Sequence, residues 1–326
     1  MPGKILLLLV LAVGLAIAGT SSANEVPTTL RAASSTVWSS VPLLGWNGNT
    51  QCDSDTNLYA QTGTADSVSI LKLAHDGSKY ELYGVPTEVA RNAAFRAFSV
   101  SPSGELRALA DTHDHKTYVF EWHSDPGNPS QTKLDVPEHL ATKAIAAFQS
   151  GAMLVSGYFN RSADEQERGK SFIAIFDASG KIAARVSGKF GDFDLASTTT
   201  KLYEGASAVG DDGYIYLLRP DEVVVVSASG HVERRMPFKK PDPSLLATGV
   251  YESGGTVLVQ LFKDSGMGKP FTAEYLALDA STGKRQGFYA PESDLGNNLV
   301  CFTRNEGLTF LTVKDEKQVL LTAPLP

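Results

Sequence analysis

The sequence predicts an all-β chain folded as a six-bladed β-propeller of four-stranded antiparallel blades, closed by an N-terminal strand. Three observations lead there. Short runs rich in β-branched and aromatic residues alternate with turns at Gly, Pro, Asn and Asp, without a sustained helical period. One family of turns, at Thr56, Gly104, Gly151, Gly213, Gly255 and Gly307, recurs at intervals of about 40 to 60 residues, the range of propeller repeats with loop insertions. A second family, His75-Asp76-Gly77, Asp177-Ala178-Ser179-Gly180, Ser227-Ala228-Ser229-Gly230 and Asp279-Ala280-Ser281-Thr282-Gly283, separates a hydrophobic strand from a more polar one, as a tight hairpin requires.

Residues 1–23 read as a secretory signal peptide. Lys4 precedes an apolar run, Ile5–Ala18, followed by Ser21-Ser22-Ala23, with cleavage expected after Ala23. The run is shorter than the ~20 residues a spanning helix needs, and no later stretch reaches that length. A secreted or periplasmic protein with no membrane span after cleavage is therefore expected. Residues 24–35, rich in Thr, Ser and Ala, are expected to be a flexible lead-in, and residues 36–326 a single propeller domain.

The first unit runs from Thr50 to Pro86, with strands at Gln51-Cys52, Leu58–Thr62, Val68–Leu73 and Tyr80–Val85. The second has Phe98-Ser99-Val100, Leu106–Ala110, Tyr118–Trp122 and Lys133–Val136. The third has Ala144–Phe148, Met153–Tyr158, Phe172–Phe176 and Ile182–Val186. The fourth is the most compact: Gly205–Val209, Tyr214–Leu218, Val223–Ser227 and His231–Met236. The fifth has Thr248–Tyr251, Val257–Phe262, Ala273–Leu278 and Gly287–Ala290. The sixth supplies only three strands, Leu299–Phe302, Leu308–Val313 and Gln318–Thr322. Thr36–Val41, which belongs to no unit and ends in Val-Pro as Val85-Pro86 and Val136-Pro137 do, is expected to complete the last sheet and remove its open edge.

That ring makes a specific prediction about the two cysteines. Cys52 falls on the innermost strand of the first unit and Cys301 on that of the sixth, units that are neighbours in a closed ring, so a disulfide is expected. The net charge of −7 argues against a nucleic-acid or anionic-membrane surface. The basic cluster Arg234, Arg235, Lys239 and Lys240 reads as a solvated strand end.

The repeats, with turn motifs such as Leu278-Asp279-Ala280-Ser281-Thr282-Gly283-Lys284, resemble the bacterial six-bladed propellers grouped as NHL-repeat and TolB-like proteins. The resemblance covers nearly the whole mature chain, and its motifs specify turns and strands. It implies either a binding or scaffold module, the commoner role, or a metal-dependent lactonase-like hydrolase or lyase with its site at the channel mouth.

Within that frame the candidate metal ligands are Asp111, His113 and His115, placed on the loop between the second and third strands of blade two. The histidines, two apart, project to one side of an extended segment. The plainer reading is a solvated polar turn. Asp192 and Asp194, on the crossing between blades three and four, and Trp46 near the first crossing are candidates for a ligand or partner face; solvation and inter-blade packing are the competing readings. No hydrolase elbow, zinc-protease helix motif or phosphate loop occurs. The inner strands carry mainly small and apolar residues, which favours a non-catalytic binding or protein-interaction scaffold, monomeric and without a cofactor, over a channel metal. Its partner, a protein or a small molecule, is left open by the sequence.

Overall fold

In a computed structural model of the chain, six antiparallel sheets surround one axis. The structure describes residues 25–38, 50–64, 67–84, 93–112, 116–123, 125–159, 165, 168–186, 207–263 and 272–326. The leader, Trp46, His113, His115, Asp192 and Asp194 lie outside them. The described residues contain no helix long and apolar enough to cross a membrane.

In chain order, β1 (Thr28–Leu30) and β2 (Ser34–Trp38) come first. Blade one follows as β3 (Thr50–Cys52), β4 (Leu58–Thr64), β5 (Ser67–Leu73) and β6 (Tyr80–Gly84). Blade two is β7 (Ala93–Val100), β8 (Leu106–Thr112), β9 (Thr117–Trp122) and β10 (Ser130–Leu134). Blade three is β11 (Leu140–Ala147), β12 (Met153–Phe159), β13 (Ser171–Phe176) and β14 (Ile182–Arg185). Blade four is β15 (Ser207–Val209), β16 (Ile215–Leu218), β17 (Glu222–Val226) and β18 (Val232–Pro237). Blade five is β19 (Leu246–Ser253), β20 (Thr256–Lys263), β21 (Thr272–Asp279) and β22 (Arg285–Pro291). Blade six is β23 (Leu299–Thr303), β24 (Gly307–Lys314) and β25 (Lys317–Ala323), with β2 as its fourth strand, antiparallel to β25 through Ser34↔Thr322 to Trp38↔Gln318.

Two details differ from the sequence expectation. The strand on blade six spans Ser34–Trp38, two residues earlier than the predicted Thr36 start, and the Ala33 N–H already donates to Thr322 O at 2.8 Å. Part of the predicted flexible lead-in is ordered: Thr28–Leu30 adds a parallel fifth strand to β22, with Leu30 buried and paired to Pro291.

The innermost strands touch in the order β3, β7, β11, β15, β19, β23 and back to β3. Six separate apolar clusters of buried side chains fill the seams between consecutive blades. Core formation is thus distributed, as burial of both faces of each sheet against its neighbours demands. The turns after the innermost strands repeat one geometry. Gly104, Gly151, Gly213, Gly255 and Gly307 are left-handed, and in blade one Thr56 takes the same place at φ 60°, a conformation that costs a β-branched residue.

Cys52 and Cys301 are joined, with Cα atoms 5.4 Å apart, between the inner strands of blades one and six.

Candidate functional site at the propeller axis

Residues of all six innermost strands line an axial cavity of about 420 Å³. Its wall includes the small and apolar Ala97, Ala144, Ala208, Val209, Gly249 and Val300, as the inner-strand sequences predict, together with Gln51, Lys143, Tyr251, Glu252 and Gln260, which make it more polar than that expectation. Four inner strands carry a bulge, with Arg96, Lys143, Thr248 and Val300 each left out of the pairing register. A bulge re-aims side chains and tightens the local twist, which lets broad sheets converge on a narrow axis.

Gln51 is held by both ends of its amide, donating to Phe98 O at 2.7 Å and accepting from Val100 N at 2.8 Å. It therefore locks blade one to blade two. Gln260 lies where Gly249 leaves room: a side chain there would stand 2.8 Å from the Gln260 amide oxygen. Burial raises the hydroxyl pKa of neighbouring Tyr251 to about 12.

In the turns after the innermost strands, Asp211 ties blades together. Its carboxylate accepts from Gly254 N at 2.8 Å and Ser253 Oγ at 3.1 Å on blade five, and from Ser54 Oγ at 3.4 Å on blade one, across the ring. Ser253 Oγ in turn accepts from Arg304 N of blade six at 3.2 Å, and Ser54 N donates to Pro102 O of blade two at 3.0 Å. Five blades are thereby linked around one carboxylate.

Next to this network sits Glu252, the carboxylate of the described cavity wall. It accepts from Asp211 N at 2.7 Å and Gly255 N at 2.9 Å. Burial pushes its pKa up to about 7, against those two N–H donors and with the negative charges of Asp211 and Asp212 adding to the rise. Gly210 is required beside it, because a side chain there would meet Asp212, Tyr216 and Glu252 at 2.6 to 2.7 Å.

The described lining does not suit a divalent cation. It offers one carboxylate whose oxygens both hold backbone amides, and no group of three His, Cys, Asp or Glu side chains is placed to hold a metal among the described residues. Asp111, a predicted ligand, lies on β8 with its carboxylate engaged by Arg96 at 3.0 Å, Thr117 Oγ1 at 2.7 Å and Thr142 Oγ1 at 2.8 Å. It fastens blade two to blade three. The histidines proposed alongside it, His113 and His115, and the Asp192, Asp194 and Trp46 candidates are outside the described residues.

Glu252 and Asp211 were not legible as site residues. Each is a single acid at a strand end or turn, and only the ring order brings Ser54, some 157 residues away in sequence, against Asp211.

No family model matches the chain, and no curated protein matches it in sequence. Solved structures do share its architecture. A luciferin-regenerating enzyme superposes with a TM-score of 0.51 at 10% identity over 85% of this chain and 90% of that one. A putative TolB from Agrobacterium tumefaciens gives 0.47 at 14% identity over 85% and 89%. A gluconolactonase from Xanthomonas campestris gives 0.47 at 10% identity over 91% and 87%. At such identities the likeness is one of fold.

Proposed function

We propose that this chain is an exported, non-catalytic β-propeller that binds a small polar ligand or a segment of a partner in its axial cavity. The observation that supports it most is the cavity itself. It is walled by side chains from every blade, apolar ones such as Ala97, Ile145 and Val300 interspersed with Gln51, Lys143, Tyr251, Glu252 and Gln260, and Glu252 ties its wall to Asp211 N. Ligand sites combine an apolar wall with placed polar groups that fix orientation, and the high polar share here suits a polar ligand. A disulfide that closes the ring suits an oxidising compartment, as expected of a chain whose leader is cleaved after Ala23.

Ligand-detected NMR with a library of small polar compounds tests the reading, using the mature protein and a Thr248→Trp variant that fills the cavity. Compounds that bind the first and not the second support it; binding that ignores the variant removes the cavity from consideration.

Glu252 favours a second reading. A carboxyl that titrates near neutrality inside a cavity is of the kind used in acid–base catalysis. Turnover of a lactone by the mature protein, lost in Glu252→Gln, would replace the binding function with the hydrolase.

A further inference from the structure

A second pocket opens on the turn face between blades four, five and six. It has a volume of about 370 Å³ and shares no lining residue with the axial cavity. Two arginines from different blades line it, Arg234 of β18 and Arg304 from the turn after β23.

Neither guanidinium is used up. Arg234 Nε is buried without a hydrogen-bond partner, and the nearest carboxylate, Asp212, stands 3.7 Å from another of its nitrogens. A buried N–H left unmade costs about 1–3 kcal/mol, so the site favours an acceptor there. Arg304 makes no side-chain ion pair or hydrogen bond among the described residues, yet its position is built. Its backbone N–H donates to Ser253 Oγ, and its stem crosses Gly254, where a Cβ would stand 2.6 Å from Arg304 Cβ. Gly254, left-handed at φ 56°, clears that path.

The two acids in the pocket are already engaged. Asp279 Oδ1 accepts from Ser281 N and Oγ and from Thr282 N and Oγ1, at 2.6 to 3.1 Å, and these bonds lower its pKa to about 2. Asp212 accepts from Tyr216 OH at 2.7 Å and Tyr214 N at 3.1 Å. They consume no arginine donor at close range, yet their charges remain nearby and oppose a dianion.

From this geometry we infer that the pocket binds a small molecule through one carboxylate group, held between Arg234 and Arg304. Gln286, whose amide makes only long bonds among the described residues, 3.3 Å to Thr256 and 3.5 Å to Asp279, supplies a polar contact for the rest of the ligand. Arginine's planar donor fork matches a carboxylate, and two flanking aspartates favour a monoanion over a doubly charged phosphate.

Isothermal titration of the mature protein at constant ionic strength tests this, with acetate and benzoate as carboxylate probes and inorganic phosphate as the rival anion. Saturable binding of a carboxylate is expected, weakened about tenfold or more in Arg304→Ala and in Arg234→Gln, because a charge-assisted hydrogen bond is lost. Gly254→Ala, which displaces the Arg304 stem, weakens it as well. Arg304 is exposed, so Arg304→Ala retains the wild-type thermal unfolding profile and serves if Arg234→Gln fails to fold. No saturable carboxylate binding, equal affinity in Arg304→Ala, or tighter binding of phosphate overturns the assignment.

Discussion

The seam between blades four and five and the seam between blades six and one solve the same problem by different means. The first is covalently continuous in the chain and is packed by fifteen buried side chains, among them Tyr216, Val223, Val257, Leu276, Leu278 and Phe288. The second joins the two ends of the domain and, among the described residues, holds seven: Leu58, Ala60, Leu71, Leu73, Val300, Leu311 and Leu320. It compensates with other bonds. Cys52–Cys301 crosses it, and at the turn face His75 Nδ1 shares a hydrogen bond with Thr56 Oγ1 of its own blade and lies 3.7 Å from Glu306 of blade six. Gly77 of blade one also packs against Thr36 of β2. Where one short N-terminal strand, β2, is the only strand of blade six that precedes blade one in the chain, a disulfide and polar links accompany a smaller apolar cluster.

The largest perturbation of this contrast is loss of the disulfide. Its sequence separation of 249 residues puts the loop-entropy contribution at roughly 5 kcal/mol as an upper value. Cys301→Ser or reduction is expected to lower the chemical-denaturation midpoint by an amount approaching that figure. An unchanged midpoint would mean that the seven apolar residues suffice alone.

Next comes packing. Leu278→Ala, in the well-filled seam, is expected to cost about 2–5 kcal/mol whether or not the disulfide is present. Leu71→Ala, at the ring closure, should cost more in the reduced protein than in the oxidised one, and a double-mutant cycle of denaturation midpoints measures the difference.

Glu252 separates the seams by pH. Its pKa in the folded chain, about 7, exceeds its ordinary 4.5, so the fold binds a proton more tightly than the unfolded chain does. Stability from this group therefore falls as pH rises from about 4.5 to about 7. Glu252→Gln, which costs about 1–3 kcal/mol through a mismatched backbone donor, should flatten that part of the profile, whereas Cys301→Ser should leave its slope in place. Thermal melts at stepped pH read both.

The smallest effect is expected at Thr56. Glycine relieves a left-handed β-branched residue but gives up the bond to His75, so Thr56→Gly should alter stability by less than about 1 kcal/mol.

The blades were legible in the sequence because each turn announces itself chemically. Glycine is needed where φ is positive, and an Asp or Ser three or four residues before it caps the outer hairpin. The disulfide was legible because ring order follows from counting units. β1 was not, since Thr28-Thr29-Leu30 is too short to alternate and its parallel partner lies far along the chain. The arginine pocket was hidden for the same reason as the Asp211 network. Arg234 read as part of a solvated basic cluster, and only the fold buries its Nε beneath blade five and brings Arg304 of blade six to the same opening.

The pairing of β2 with β25 imposes an order in time. Ser34–Trp38 has no sheet to join until Lys317–Ala323 has been delivered, and Cys52 has no partner until Cys301 arrives. During synthesis, Ser34–Trp38 must stay unpaired almost to the end. An obstruction that delays the last thirty or so residues would leave five assembled blades with an exposed β3, a reactive thiol and an unclaimed N-terminal strand, a form open to exchange between neighbouring chains.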